Sequence, residues 1–240
     1  YKKADLKPSI IVSLITAAAF MLGFTALTYT SATNCGFLMS LAVVFAPLIA
    51  IPILKTHFQW KLIIPIFIAA AGLFCFSGGN LTALGIGDLY AILCSFASAL
   101  MLVVSAKYLK QIDAIVLCVI QCAVCFVACL VAALLFEPLP DVASYSPMVW
   151  YVIAFLVVGC TFIAYYFQNT ALSHVSPTFG AMVFCTEPIF TAITAYYLLD
   201  ERLNLLGFIG AALILGGITL ASVFEGKSQP APAQTASVPA

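Results

Sequence analysis

Glu187 is the one carboxylate deep inside an apolar stretch, about ten residues from either end of residues 177–199. An ionised side chain at that depth costs at least about 2.5 kcal/mol on insertion scales, so it requires a partner or a wet cavity. Pro188 follows and removes a backbone donor, which frees the carbonyl of Phe184. A carboxylate beside a freed carbonyl can hold a cation, a proton or an amine. Thr191 and Thr194 lie at i+4 and i+7 from Glu187, on the same helical face.

Other stretches carry polar stripes at the same helical spacing. Thr161, Tyr165 and Gln168 form one, and Ser95, Ser98 and Ser105 form another. Thr16, with Asn34 and Ser40 on the following stretch, adds polarity from the N-terminal part of the chain. Turned inward, these faces would line one cavity for a small polar solute. Each has a bland counterpart, because Ser and Thr in apolar helices often bond the carbonyl one turn back. Pro47 and Pro188 are expected to kink their helices, and Gly72, Gly207, Gly210 and Gly217 to form a close-packing seam between helices.

The elements that must position these residues follow from composition. Hydrophobic residues make up 64% of the 240 and charged ones 8%, with a mean hydropathy of +1.17, so the solvent of this chain is lipid. Apolar stretches run at about residues 9–29, 33–54, 60–77, 88–108, 114–136, 149–168, 177–199 and 205–224. Most approach the roughly 20 residues that cross a bilayer as helix, and none shows the alternation of a barrel strand. The expected fold is all-α and integral to the membrane, with eight transmembrane helices.

Charge placement agrees with that count. With the N-terminus inside, Lys2, Lys3, Lys7, Lys55, Lys61, Lys107, Lys110 and Lys227 fall on the cytoplasmic side and only Arg202 outside. A wrong number of spans would scramble this bias. Both chain ends are then cytoplasmic. No basic and aromatic cluster of the kind that binds nucleic acid is present.

Displacing the chain by 145 positions lays residues 16–77 on 161–222 without a gap, matching Thr16 with Thr161, Ser31 with Ser176, Phe45 with Phe190 and Gly72 with Gly217. Each copy reads as three spans, and the copies start five spans apart. An odd offset inverts the second copy, an architecture common among secondary transporters. The division expected is a three-span N-terminal repeat remnant over 1–80, a five-span C-terminal repeat over 81–224 and a disordered tail over 225–240. The first copy lacks the two spans that precede the second, which reads as truncation.

Three other chemistries fail on spacing. Cys118, Cys122, Cys125 and Cys129 share a helix face, but the outer two lie about 16 Å apart along the axis, too far for one zinc. Gly85-Ile86-Gly87-Asp88 resembles the GxGD loop of intramembrane aspartyl proteases, yet no second aspartate lies inside a span to share a proton with Asp88. No phosphate loop or Ser/His/Asp set appears. Neither catalytic residues, a metal nor a cofactor is expected.

TSATNCGFL at 30–38 followed by Pro47, GDLYAIL at 87–93, TEPIF at 186–190, DERL at 200–203 and GFIGAALILGGI at 207–218 resemble the EamA-like branch of the drug/metabolite transporter superfamily. The resemblance covers residues 9–224. It implies ten helices in two inverted halves, of which this chain would hold the third to the tenth, and export or import of small metabolites. Two positions depart from that pattern. Thr56 stands where the family usually has a Glu, and Pro65 stands where the second copy has Gly210.

The function expected is secondary transport of a small organic metabolite or drug across the inner or plasma membrane by alternating access. Protons and a homodimer are the expected additional partners besides lipid and solute, and no nucleic acid is expected. The rival is a truncated, non-transporting membrane scaffold or regulatory paralogue, with the protease as a remote third.

Overall fold

The computed structural model describes residues 6–30, 32–55, 60–76, 85–136, 145–187, 189–190, 193–194, 197 and 205–226. All its regular elements are helical: α1 (Leu6–Tyr29), α2 (Ala32–Met39), α3 (Ala42–Leu54), α4 (Ile63–Phe76), α5 (Ile86–Tyr108), α6 (Ala114–Phe136), α7 (Pro147–Phe155), α8 (Ala164–Leu172), α9 (Pro177–Phe184) and α10 (Leu205–Gly226). A π-helical stretch, Leu156–Ile163, joins α7 to α8, so that Pro147–Leu172 is one span. Among the described residues four helices are long and apolar enough to cross a bilayer unbroken: Leu6–Tyr29, Ile86–Tyr108, Ala114–Phe136 and Pro147–Leu172. The all-α membrane fold is the one anticipated. The tail at 227–240 lies outside the described residues.

The stretch 33–54 is interrupted, though not at a proline. Pro47 and Pro52 both lie inside α3. The ladder instead changes at Ser40–Leu41, where Leu41 N–H bonds Leu38 O at 3.2 Å and Val44 N–H bonds Leu41 O at 2.8 Å, each one residue short of α-helical spacing. The Ser40 hydroxyl donates to Gly36 O at 2.8 Å, beside the Ser40 N–H at 3.1 Å. Such back-bonding bends helices. The change in the ladder thus lies N-terminal to Pro47, and Pro188 lies outside the described residues.

The second copy breaks at the equivalent place. Thr186 N–H bonds Val183 O at 3.0 Å, Ile189 N–H bonds Thr186 O at 2.9 Å and Phe190 N–H bonds Thr186 O at 3.2 Å. Displaced by 145 positions these are Leu41 to Leu38, Val44 to Leu41 and Phe45 to Leu41, all of which are present. The two copies therefore repeat a local distortion as well as a sequence pattern.

The copies also meet each other through equivalent residues. A Cβ built on Gly72 would lie 2.8 Å from Gly210 O and 2.8 Å from Ile214 N; one on Gly217 would lie 3.0 Å from Pro65 O and 3.1 Å from Ala69 N. The 145-residue displacement takes Gly72 to Gly217, Pro65 to Gly210 and Ala69 to Ile214, so the two contacts are one contact seen twice. Moving up α4 from Pro65 to Gly72 moves down α10 from Gly217 to Gly210, hence the helices run antiparallel. Phe20 and Tyr165, also equivalent, touch edge to face with ring centroids 6.1 Å apart. A pseudo-twofold axis passes through both meetings, as inversion of the copies requires.

Equivalent spans are buried very differently. Val12 and Ala26 of α1 are fully buried, and α5 and α6 pack along it. On Pro147–Leu172 no residue of the most apolar window is buried, and Val157, the equivalent of Val12, is 57% exposed. The α1–α5 contact is tied at one end by polar groups. Asp88 accepts from Thr30 Oγ1 at 2.7 Å with Oδ1 and from Gly85 N–H at 2.8 Å with Oδ2, which also starts α5. Gly87 lets the chains approach, since a Cβ there would meet Tyr29 C at 2.6 Å and Thr30 N at 2.8 Å.

Candidate solute site

Glu187 directly follows the second break, and its side chain is exposed. Thr194 is exposed too and donates to Phe190 O at 2.9 Å. Thr191 and the side chain of Asn34 lie outside the described residues. On the facing copy Ser40 sits in the first break. The breaks belong together, because Val43 and Val44 just past one pack in the same apolar cluster as Cys185 and Ile189 of the other. Glu187 thus adjoins the point where both copies depart from helical geometry.

A second polar constellation lies apart from it, fully enclosed. Thr16 Oγ1 donates to Val12 O at 2.9 Å and accepts from Gln121 Nε2 at 3.0 Å. Gln121 Oε1 in turn accepts from Asn169 Nδ2 at 2.7 Å. Thr16 and Gln121 are each 1% exposed and Asn169 not at all. This chain joins α1, α6 and α8, so it ties the two copies through a helix that belongs to neither repeated segment. It ends on Asn169 Oδ1, a buried acceptor with no protein partner. Leaving such a group unpaired costs about 1–3 kcal/mol.

The serines and aromatics anticipated for a cavity divide. Ser95 and Ser105 are fully buried with unpartnered hydroxyls, and Ser98 is half-buried. Tyr165 meets Phe20, and Gln168 Nε2 reaches Met101 Sδ at 3.6 Å. Thr161 bonds Leu156 O at 2.9 Å, five residues back, in the π-helical stretch, whereas its equivalent Thr16 bonds four back. The structure therefore brings Thr16 and Tyr165 to one region and leaves Glu187 and Thr194 in another.

Gln121 and Asn169 escaped the sequence reading. The signal was available: a carboxamide in the middle of an apolar span is as costly as a lone hydroxyl or more, and needs a partner. Gln121 was hidden among the thiols of α6, and Asn169 among the polar residues ending α8. The thiols of α5 and α6 make weak bonds to backbone carbonyls. Cys118 donates to Phe162 O at 3.4 Å and Cys94 to Ala19 O at 3.1 Å. All nine cysteines are free, and among the described residues no three His, Cys, Asp or Glu groups converge as metal ligands.

Of the glycines expected to pack, Gly72 and Gly217 are the reciprocal contacts described above, Gly210 supplies the carbonyl against Gly72, and Gly207 is buried. Asp88 of the GxGD string has both oxygens engaged in starting α5 and holding Thr30. That is a structural use for the residue on which the protease reading depended.

Comparison with known proteins supplies the family. Two curated relatives from Archaeoglobus fulgidus, each described as an uncharacterized transporter, are 23% and 27% identical to this chain. The first covers 91% of this chain and 70% of its own length, the second 82% and 69%. A solved crystal structure shares the fold with a TM-score of 0.77 at 17% identity, over 95% of this chain and 81% of that one. The sequence model of the EamA-like transporter family matches residues 2–78 and 85–223. With helices, inverted contacts and sequence all in agreement, the chain belongs to the EamA-like transporter family and is a multi-pass membrane protein.

Proposed function

We propose that this protein is a secondary carrier that moves a small organic solute across the inner or plasma membrane by alternating access, with both chain ends cytoplasmic. The observation that supports the mechanism most directly is the matched pair of helix breaks, at Ser40–Leu41 and Cys185–Thr186, in two antiparallel copies. Interrupted helices at corresponding positions of inverted repeats are where transporters place solute and coupling ions. The α4–α10 seam is glycine-lined and backbone-close, suited to a fixed fulcrum. Around it, α1 to α3 and α7 to α9 would rock about the pseudo-twofold axis, opening the space between the breaks to one side and then the other.

Glu187, beside one break, is the residue that would carry a proton or bind an amine. Solute flux into proteoliposomes tests the reading: uptake that saturates and responds to an imposed proton gradient supports it, and a rate equal to protein-free vesicles for every small metabolite tried overturns it.

A further inference from the structure

The enclosed hydrogen-bond chain has a direction, and the direction determines what its open end presents. Val12 O can only accept, so the single hydrogen of the Thr16 hydroxyl is taken up there and its oxygen must accept from Gln121. Gln121 is then held with Nε2 toward Thr16 and Oε1 toward Asn169, which must answer with Nδ2. Asn169 Oδ1 is left over as an acceptor, fully buried and unpartnered. One turn before Asn169 stands Tyr165, and one turn after Thr16 stands Phe20. Their rings meet across the same two helices. No ionised side chain belongs to the chain of bonds.

We propose that Asn169 Oδ1 is the recognition point for an uncharged N–H or O–H donor on a solute with an aromatic or apolar body. Its polarity is set from a distance by the Thr16 hydroxyl through Gln121. This deepens the carrier reading and rests on it, because Asn169 is sealed here and a donor reaches it only when the α1 and α8 faces part. A buried acceptor selects sharply, since a solute without the donor leaves it unpaired. Thr16 and Gln121 are positioning residues; Asn169 is the contact.

The test uses radiolabelled benzamide, competed by benzamide or by N,N-dimethylbenzamide, which lacks the N–H. Equilibrium binding is measured on the detergent-purified whole chain, and flux of the same label separately in proteoliposomes. The expected result is about tenfold tighter binding of benzamide, the worth of one bond to an otherwise unpaired buried group. Thr16→Val, nearly isosteric, frees Gln121 and Asn169 to turn over and should bring that ratio close to one, while Thr16→Ser should restore it. A ratio near one in the unaltered protein, a ratio untouched by Thr16→Val, or no saturable binding overturns the proposal. Flux that saturates without any dependence on Thr16 would remove the site but keep the carrier. Selective binding without flux would keep the site and remove the carrier.

Discussion

Gly72 and Gly217 lie 145 positions apart, and each rests against the backbone of the helix that carries the other. Gly72 faces Gly210 and Ile214, and Gly217 faces Pro65 and Ala69. Because those neighbours are themselves equivalent pairs, the contact is reciprocal, the helices are antiparallel and the seam lies on the pseudo-twofold axis. It also accounts for the departure at Pro65: the proline carbonyl is the atom facing Gly217, 3.0 Å from where a Cβ on that glycine would lie, so what that position must supply is backbone.

A side chain at either glycine should therefore open the seam. Gly72→Leu and Gly217→Leu are each expected to destabilise the protein by about 1–3 kcal/mol, as overpacking does, and by similar amounts because the contacts are equivalent. Gly216→Ala, where an added Cβ meets nothing within 4 Å, is the control. Thermal unfolding in detergent reads the difference; unchanged melting of both leucine variants would contradict the close approach.

The Asp88–Thr30 tie predicts a measurable coupling. Thr30→Val removes one bond and should cost about 1 kcal/mol, while Asp88→Ala removes that bond and the one that starts α5, for about 2 kcal/mol. A double-mutant cycle should return a coupling of about 1 kcal/mol. Strict additivity of the two losses would mean that the residues do not interact.

Breaking the enclosed chain in the middle should be worse than removing its end as well. Gln121→Leu leaves both ends of the Asn169 amide unpaired in an apolar enclosure, at an expected cost of about 2–3 kcal/mol. Adding Asn169→Leu removes the orphaned group, so the double variant should melt at or above the single one. A double variant that loses the sum of both single costs would argue against the bond.

Glu187 offers a test of coupling with any solute that the flux assay finds to be transported. For a coupling carboxylate, Glu187→Gln abolishes proton binding, so uptake should lose its response to an imposed pH gradient while exchange of solute for solute persists. Flux measured across a series of external pH values decides it. A pH response identical in both proteins would restrict Glu187 to structure.

Metal removal should change nothing. Cys118 and Cys94 bond backbone carbonyls and the stripe on α6 converges on no common point, so incubation with EDTA is expected to leave melting and flux at their starting values. A lowered melting temperature reversed by zinc would overturn this reading.

Sequence alone determined the solvent, the spans and the inversion of the copies. The reason is physical: in lipid every long apolar stretch must be helix, and an odd number of spans between equivalent segments has only one geometric outcome. Charge at the loops, set by the positive-inside bias, needed no contacts to be read. What only the tertiary structure decided is where those helices bend and which polar groups meet. The break at Ser40–Leu41 falls at a serine whose hydroxyl bonds back to Gly36 O and not at a proline, so neither residue type nor spacing singled it out. Thr16, Gln121 and Asn169 are separated by 105 and 48 positions, on helices whose relative rotation follows from packing. A hydrophobic pattern fixes how many helices cross the membrane, but in a chain apolar on every side it leaves open which face of each one turns toward its neighbours.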